Sequence, residues 1–327
     1  TNPVKYLINI FTSHYQGGYS GMFSSGNSYW NDLKGNIVIK LVSVFNIFSR
    51  GDYYINSLFF NFIIFFGHVM LYRLFIKIYP GSQVWVIMGC FLLPSTLYFS
   101  SGIHKDGLVL LLMAVVIYGV YQSLSKNRIS IKRLLFILAG LILLFLVRNF
   151  ILLALLPALF AWILAAKTKW NTALAVITKI NPPDIIVKKQ EAYKSLPIAA
   201  TQIELAALQP TVKSFASNIP QALGHVLFLP YPGQQPVKSL LPFSFELYFY
   251  LFLLLLLFFF KKKDNLPADK LLMFFTLFFI LTVFLFIGYI VPNIGSLIRY
   301  RSLYLPFIIT PVLCSLNWEK MRGRFVI

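Results

Sequence analysis

Long apolar stretches separated by short polar segments dominate the chain from residue 53 to residue 316. Several of them approach about 20 residues, the length at which an α-helix crosses the hydrocarbon core of a bilayer. Because backbone polar groups in lipid need partners within their own segment, each stretch predicts a helix. The predicted spans are 53–78, 83–99, 106–124, 133–147, 149–166, 240–260, 270–291 and 302–316.

A weaker stretch, 170–187, is predicted to be one further crossing. Lys167 and Lys261 fall on the same predicted side of the membrane with one clear span between them, so the chain must cross once more. The stretch carries Lys179 and two prolines, which favours a short, broken or re-entrant crossing. The pattern as a whole predicts an all-α polytopic integral membrane protein with about 8–10 transmembrane helices.

The remaining segments are predicted to lie outside the bilayer. Residues 1–36 are polar, aromatic and glycine-rich without a helical period, which predicts an ordered external loop. Residues 37–48 are apolar but short, and Lys40 among them favours an interfacial helix. Short amphipathic stretches and prolines follow the weak crossing and predict external surface helices. The predicted units are 1–52, 53–187, 188–238 and 239–327.

Composition agrees with a membrane protein. The chain is 58% hydrophobic and only 12% charged, with a mean hydropathy of +0.74, whereas a soluble domain has about 25% charged residues. The net charge of +19 would suggest nucleic acid in a soluble protein. Here the basic residues flank apolar runs, so we expect membrane lipids as partners and no nucleic acid. Since the chain starts at Thr1, we expect a further segment upstream.

The basic residues also predict orientation, because Lys and Arg concentrate in cytoplasmic loops. Most of those in short loops fall in five segments that we place in the cytoplasm: 73–77, 126–133, 167–169, 261–270 and 320–324. The opposite short loops hold only Lys105, Arg148, Arg299 and Arg301. Ionisable groups near the membrane cost free energy unless they are paired, hydrated or used, so these four are candidate site residues.

Several other charged residues reach the same predicted external face. The segment "SSGIHKDGLVLLL" brings His104 and Asp106 beside Lys105, and the loops before residue 55 bring Asp32, Arg50 and Asp52. Arginine offers a planar fork suited to phosphate, so outward-facing cations favour an anionic group at the membrane surface. A nearby carboxylate would serve as general base on an acceptor hydroxyl, with Asp32, Asp52 and Asp106 as candidates.

Simpler interpretations exist for most of these residues. Asp106 fits an acid at the start of a helix, and Arg299 and Arg301 fit contacts with lipid headgroups. Arg148, in "FLVRNFILL", has no loop to hold it and predicts a functional group or an internal ion pair. Glu246 is predicted to face the bundle and pair with an arginine. No metal-ligand spacing occurs, so no metal site and no cofactor are predicted, although the sequence leaves a divalent cation open.

Three segments resemble a known group of bacterial membrane proteins. "LLPSTLYFSSGIHKDGL", the lone arginine of "LVRNF" and "GSLIRYRSLYLPF" are similar to segments of GT-C-like and O-antigen-polymerase-like glycosyltransferases encoded at surface-polysaccharide loci. The resemblance covers roughly 28–318 in layout. It implies transfer of a sugar, or polymerisation of repeat units, from a polyprenyl-phosphate donor on the external face of the bacterial inner membrane. Other envelope or polysaccharide-assembly proteins would be partners.

The resemblance also implies residue roles. Lys105, Arg148, Arg299 and Arg301 would hold the lipid phosphate, with His104, Arg50 and Glu246 in support. Asp52 or Asp32 would be the base, because such enzymes carry their acid in the first external loop. That loop follows a first span in the family and no such span precedes it here, which leaves the choice between the two open.

Two other classes of function remain as alternatives. A transporter or flippase of an anionic lipid-linked substrate would use the same arginines nearer the middle of the membrane, and inverted repeats would favour it. The chain shows no such internal symmetry. A non-catalytic scaffold of an envelope complex would pair the arginines with carboxylates of a partner.

Overall fold

The computed structural model describes residues 3–12, 18–23, 27–128, 130–167, 184–195, 197, 200–233, 238–262 and 269–325. Within these residues the chain forms fifteen α-helices and no β-strand, which confirms the all-α prediction. In chain order they are α1 (Pro3–Phe11), α2 (Tyr29–Ser49), α3 (Tyr53–Ile78), α4 (Gln83–Phe91), α5 (Pro94–Ser100), α6 (Lys105–Ser125), α7 (Ile131–Lys167), α8 (Asp184–Lys194), α9 (Val212–Ser217), α10 (Ile219–Phe228), α11 (Leu241–Phe260), α12 (Lys270–Ile290), α13 (Ile294–Ser302), α14 (Leu305–Ser315) and α15 (Trp318–Phe325).

Five of the described helices are long and apolar enough to cross a membrane: α3, α6, α7, α11 and α12. Two bent pairs raise this number to seven if each pair is one span: α4 with α5, bent by 46°, and α13 with α14, bent by 59°. The chain is therefore a multi-pass helical membrane protein. Pro94 and Pro306 lie in the first turn of the second helix of each pair, where a residue without an N–H fits well.

The predicted spans correspond closely to these elements. The stretches 53–78, 106–124, 240–260 and 270–291 each become one helix, whereas 83–99 and 302–316 fall on the bent pairs. The predicted crossing at 170–187 lies outside the described residues, except for its last residues, which belong to α8. The predicted number of about 8–10 spans is larger than the five to seven described here because it included this crossing and counted the two parts of α7 as separate spans.

The prediction of a loop over residues 1–36 is wrong for residues 3–11 and 29–36, which are helical. Residues 3–11 form α1, and α2 begins at Tyr29 and continues through the stretch predicted to be interfacial. The Ser28 side chain accepts a hydrogen bond from the Asn31 N–H and caps α2. The Asp32 side chain of α2 contacts those of Asn36 and Lys40, and the three residues are spaced by four on one face of the helix. A search for apolar periodicity does not detect a helix whose face is defined by polar residues in this way.

Glycines bring α3 and α6 into close contact. A Cβ at Gly67 of α3 would lie 2.7 Å from the Leu111 Cα, and one at Gly107 of α6 would overlap Ile64. Small residues let helix backbones approach closely in a membrane, where van der Waals packing replaces the hydrophobic effect. The two helices run parallel, because their contacts advance together along both helices, from Ile64 with Gly107 to Lys77 with Tyr121. The first turn of α6 is therefore fixed against the middle of α3.

Helix α7 changes direction at Arg148, whose backbone dihedrals of φ −152° and ψ 88° are not helical. Before the break, Ile137 packs against Gly119 of α6. After it, Trp162 stacks on Phe275 of α12 with ring centroids 4.5 Å apart. Phe275 lies near the start of α12, at the end of the bundle opposite Asp106. Both limbs therefore lead away from Arg148 towards the same end, which agrees with separate predicted spans at 133–147 and 149–166.

The helices between α7 and α11 dock on the C-terminal end of α12. The Gln190 side chain of α8 donates to the Tyr289 carbonyl at 2.7 Å, and Gly288 lets α10 approach at Ala222. Helices α8 to α10 confirm that this region contains short helices; its external position stays a prediction. This docking brings α8 to the end of the bundle that holds Asp106.

Candidate functional site

Asp106 is the centre of the best-defined polar site. It lies in the first turn of α6, and its side chain is fully buried. One carboxylate oxygen accepts a hydrogen bond from Arg148 at 2.6 Å, and the other pairs with the Arg299 Nε. An isolated buried carboxylate would be strongly unfavourable, so the two guanidinium groups are what allow its burial.

The two arginines differ in exposure. The Arg148 side chain is 11% exposed, and its guanidinium lies 4.1 Å from the centre of the Tyr300 ring. The Arg299 side chain is 39% exposed. Arg148 is therefore held by an ion pair and an aromatic face, whereas Arg299 reaches both Asp106 and the surroundings of the protein.

Lys189 of α8 is a third cation beside this ion-pair system. Its ammonium donates to the Asn149 side-chain oxygen at 3.0 Å and lies 4.4 Å from the centre of the Phe150 ring. Burial and the charge of Arg148 lower the pKa of Lys189 to about 8. We call Asp106, Arg148, Lys189 and Arg299 the Asp106 cluster. Its formal charges are three positive and one negative.

An apolar cavity of about 70 Å³ adjoins Lys189. Apart from Lys189 and Asn149, all of its lining residues are apolar: Phe145, Phe150, Leu153, Ile185, Ile186, Phe286 and Ile290. It lies where the break in α7 meets α8 and the end of α12. One side chain, Lys189, thus belongs both to an apolar cavity and to a cationic cluster.

Tyr193 and Tyr300 extend the site on its other side. Their hydroxyl oxygens lie 3.2 Å apart. Burial and the neighbouring Tyr300 raise the pKa of Tyr193, while the charges of Arg148 and Arg299 act in the opposite direction. The Tyr193 hydroxyl is therefore close enough to the Asp106 cluster for both arginines to influence it.

Two residues predicted for the same site lie elsewhere. Arg301 is buried and donates to the carbonyls of Val226 and Leu229, at 2.6 and 2.8 Å, at the end of α10. Glu246 accepts hydrogen bonds from Ser95 and from the Tyr250 hydroxyl, the latter at 2.6 Å. The bonds of Arg301 and the bonds between Glu246 and Ser95 join helices to each other, whereas the bond between Glu246 and Tyr250 lies within α11. None of them reaches the Asp106 cluster.

His104 and Lys105 directly precede Asp106 in sequence but differ from it in environment. Lys105 donates to the carbonyls of Lys34 and Gly35, at 3.3 and 3.2 Å, and so connects α6 to α2. His104 is exposed and precedes α6 without capping it through its side chain.

The remaining predicted residues lie around α2 and the start of α3. Arg50 ends α2 in the left-handed conformation, with φ 57°, and is exposed. Asp52 is also exposed and caps α3 by accepting from the Ile55 N–H at 2.9 Å. Asp32 is buried and pairs with Lys40 at 3.0 Å. Burial raises the pKa of Asp32, but hydrogen bonds from Lys40, Asn36 and Tyr19 outweigh this effect and lower it.

The structure thus joins three of the predicted residues, Asp106, Arg148 and Arg299, in one cluster. Lys189, Asn149, Tyr193 and Tyr300 belong to this site and were not predicted. Ile185, Lys189 and Tyr193 are spaced four residues apart, so a helical reading of that segment would have placed them on one face. Among the described residues, no three His, Cys, Asp or Glu side chains gather as a metal site requires, and the question of a cation stays open.

The fold and the site together define a multi-pass helical membrane protein with a cationic cluster built around one buried carboxylate. Neither a protein family, nor a curated protein, nor a solved structure matches the chain.

Proposed function

We propose that the chain is a membrane glycosyltransferase or polysaccharide polymerase that holds the phosphate of a polyprenyl-linked saccharide at the Asp106 cluster. The observation that carries this proposal is the excess of cations around Asp106, next to an apolar cavity. Arg148 and Arg299 neutralise one carboxylate, and their combined charge with Lys189 exceeds it. A phosphate is the complementary ligand, because it accepts several charge-assisted hydrogen bonds from such a set.

Lys189 supports a lipid phosphate over a free anion. The cavity beside it is lined by aromatic and aliphatic side chains, and its volume of about 70 Å³ suits part of the first isoprene unit of a prenyl chain. A small inorganic anion would gain nothing from that cavity. The polar end of an amphipathic ligand would meet Lys189 and the arginines, and its apolar end would fill the space beside Phe150 and Ile290.

In sugar transfer the acceptor hydroxyl oxygen bonds to the anomeric carbon, and the bond from that carbon to the lipid phosphate breaks. The phosphate leaves with the bonding electron pair and gains negative charge, which Arg299 and Lys189 would stabilise. The acceptor proton passes to a base. Both oxygens of Asp106 already accept from arginines, so Asp106 is a positioning residue in this proposal.

The base would then be one of the two other predicted carboxylates. Asp32 is paired with Lys40 and its pKa is lowered, which makes it a weak proton acceptor. Asp52 is exposed at the start of α3, where its contact is with a backbone N–H. Asp52 is therefore the more available carboxylate of the two. About 18 Å of α3 separate it from Ile64, which contacts Gly107 beside Asp106, so proton transfer to Asp52 would pass through water and its part is tested by substitution. The proposed setting remains the external face of the bacterial inner membrane.

A transporter of the same lipid-linked substrate is the second candidate, and the bent helix pairs favour it. Broken helices near a substrate are typical of secondary transporters. The two pairs contact each other, since the Thr96 hydroxyl donates to the Ser302 carbonyl at 2.7 Å. Arg299 belongs to one of these pairs, so a movement of that pair would carry a bound phosphate with it.

A profile of polyprenyl-linked saccharides by mass spectrometry tests the proposal. Cells lacking the chain would be complemented with the wild type, Lys189→Gln, Arg299→Gln or the control Lys188→Gln, which removes an exposed lysine next in sequence. We expect a lipid-linked intermediate to accumulate without the chain and to clear with the wild type and the control only. Accumulation on the cytoplasmic side would favour transport. An unchanged lipid-linked pool would overturn both candidates.

A further inference from the structure

A second cavity, of about 130 Å³, lies between α8 and the start of α13. It is lined by Tyr193, Pro197, Gln202, Val291, Pro292, Asn293 and Ser296. Its wall is held by two backbone hydrogen bonds, from Ile203 N to Pro292 O at 2.8 Å and from Ile294 N to Thr201 O at 2.9 Å. The cavity is therefore part of a fixed contact between two segments that are distant in sequence.

The polar groups of this cavity are neutral. Tyr193 and Ser296 supply hydroxyl groups, and Gln202 and Asn293 supply amides, whereas no charged side chain lines it. The Asn293 side-chain oxygen already accepts from Ser296 N and from the Thr201 hydroxyl, both at 3.1 Å, so its NH₂ group is the one able to donate to a ligand. Neutral amides and hydroxyls pair with hydroxyl groups, which both donate and accept.

The size of the cavity limits the ligand. A protein cavity of about 150 Å³ holds one benzene molecule, so 130 Å³ is the scale of a single six-membered ring. The prolines and Val291 supply an apolar wall for the C–H face of such a ring. A cavity of this size takes part of one sugar ring, and because it is partly open to the surroundings the remaining hydroxyl groups extend out of it.

Tyr193 connects this cavity to the Asp106 cluster. Its hydroxyl lies 3.2 Å from that of Tyr300, and the Tyr300 ring lies beneath the Arg148 guanidinium. Asn293 also begins the helix that carries Arg299. A phosphate held by the arginines would therefore have a neutral, hydroxyl-recognising cavity next to it.

We infer that this cavity binds one sugar residue of the saccharide substrate, with Gln202, Asn293 and Ser296 as the groups that recognise its hydroxyls. The inference rests on the proposed function, because it deepens the same site. It divides the work between two neighbouring subsites: the cluster holds the phosphate, and the neutral cavity selects the sugar. A site built to hydrogen-bond hydroxyl groups discriminates strongly against analogues that lack them.

Saturation-transfer NMR on the purified chain in detergent tests the inference, with glucose, galactose and N-acetylglucosamine as separate probes. We expect signal transfer to at least one sugar with the wild type. Gln202→Leu should reduce it about fivefold or more, because an unpaired polar group costs about 1–3 kcal/mol. The control Gln209→Leu replaces another exposed glutamine of the same region, outside the cavity, and should leave it unchanged.

Binding of polyprenyl phosphate by the same samples separates the two proposals. Gln202→Leu should keep the wild-type affinity for polyprenyl phosphate, which also shows that this variant folds. No transfer to any of the three sugars, or equal transfer to wild type and Gln202→Leu, would overturn the sugar subsite and leave the phosphate proposal intact. If the wild type does not bind polyprenyl phosphate, the proposed function itself fails.

Discussion

The guanidinium of Arg148 lies 4.1 Å from the centre of the Tyr300 ring. It also contacts the Phe150 ring and the Asp106 carboxylate. The contact with Tyr300 joins the break of α7 to α13, two segments that the chain separates by about half its length. A cation over an aromatic face contributes about 0.5–2 kcal/mol, more when it is shielded from water.

Tyr300 should therefore position Arg148 through its ring. We expect Tyr300→Leu to lower the free energy of unfolding by about 1–2 kcal/mol. Tyr300→Phe keeps the ring and should lose less, since only the hydroxyl contact with Tyr193 is removed. Thermal unfolding of both variants in detergent measures the difference. Equal losses would show that the hydroxyl contact, and not the ring, carries the effect.

Asp106→Asn should destabilise the protein strongly. The substitution removes the charge that compensates Arg148 and Arg299, and breaking a buried pair from one side costs about 3–5 kcal/mol. Unfolding by heat or denaturant in detergent checks the loss, with Asp52→Asn as a matched Asp-to-Asn control at an exposed site. A stable, inactive Asp106→Asn variant would instead support a direct role of this carboxylate in catalysis.

Asp52→Asn separates the capping role of this residue from its proposed role as base. Asparagine caps helices about as well as aspartate, so the fold should be unaffected, whereas Asp52→Ala should cost about 1 kcal/mol. If Asp52 accepts the acceptor proton, both variants should lose sugar transfer by about 10²-fold or more. Clearance of the lipid-linked intermediate is the measurement. Wild-type clearance with Asp52→Asn would remove Asp52 from the mechanism.

Binding of polyprenyl phosphate should weaken as the pH rises through about 8. The pKa of Lys189 is lowered to about 8, so its ammonium is present below that pH and is lost above it. The second pKa of a phosphate is about 6, so its second ionisation is nearly complete at pH 7 and its charge changes little between about pH 7 and pH 9. A charge-assisted hydrogen bond contributes about 1.5–3 kcal/mol, which corresponds to a loss of roughly 10- to 100-fold in affinity.

Lys189→Gln should make that affinity low and independent of pH over the same range, whereas Lys188→Gln should retain the wild-type profile. A binding titration at several pH values, with purified protein in detergent, gives the comparison. A pH dependence that persists in Lys189→Gln would assign the titration to another group.

Helix positions were readable from the sequence because apolar length alone predicts a membrane helix. The sequence also indicated that Arg148 has a partner or a function, since a lone cation inside an apolar stretch is unfavourable without one. Its partner was not readable, because the pairing with Asp106 depends on how α6 packs against α7. Lys189 was missed because its segment is polar on average, and its burial comes only from docking on α12.

Arg299 and Arg301 show another limit of sequence reasoning. They lie two residues apart, so a helix directs them to roughly opposite faces. One pairs with Asp106 and the other donates to the end of α10. Nothing in "RYR" distinguishes them, because the partners of both arginines lie on other helices, Asp106 on α6 and the Val226 carbonyl on α10. Helix α2 was missed for a similar reason. Its first turns are marked by hydrogen-bonded polar side chains spaced by four residues and not by a periodic pattern of apolar residues.

The Asp106 cluster draws its four residues from α6, the break of α7, α8 and α13. During synthesis these segments leave the ribosome one after another, and Arg299 is the last of them to emerge. A nascent chain halted before α13 would hold Asp106 against Arg148 alone and would have no second guanidinium for a substrate. The complete cluster is therefore assembled late in biogenesis, when the C-terminal helices insert beside those already in the membrane.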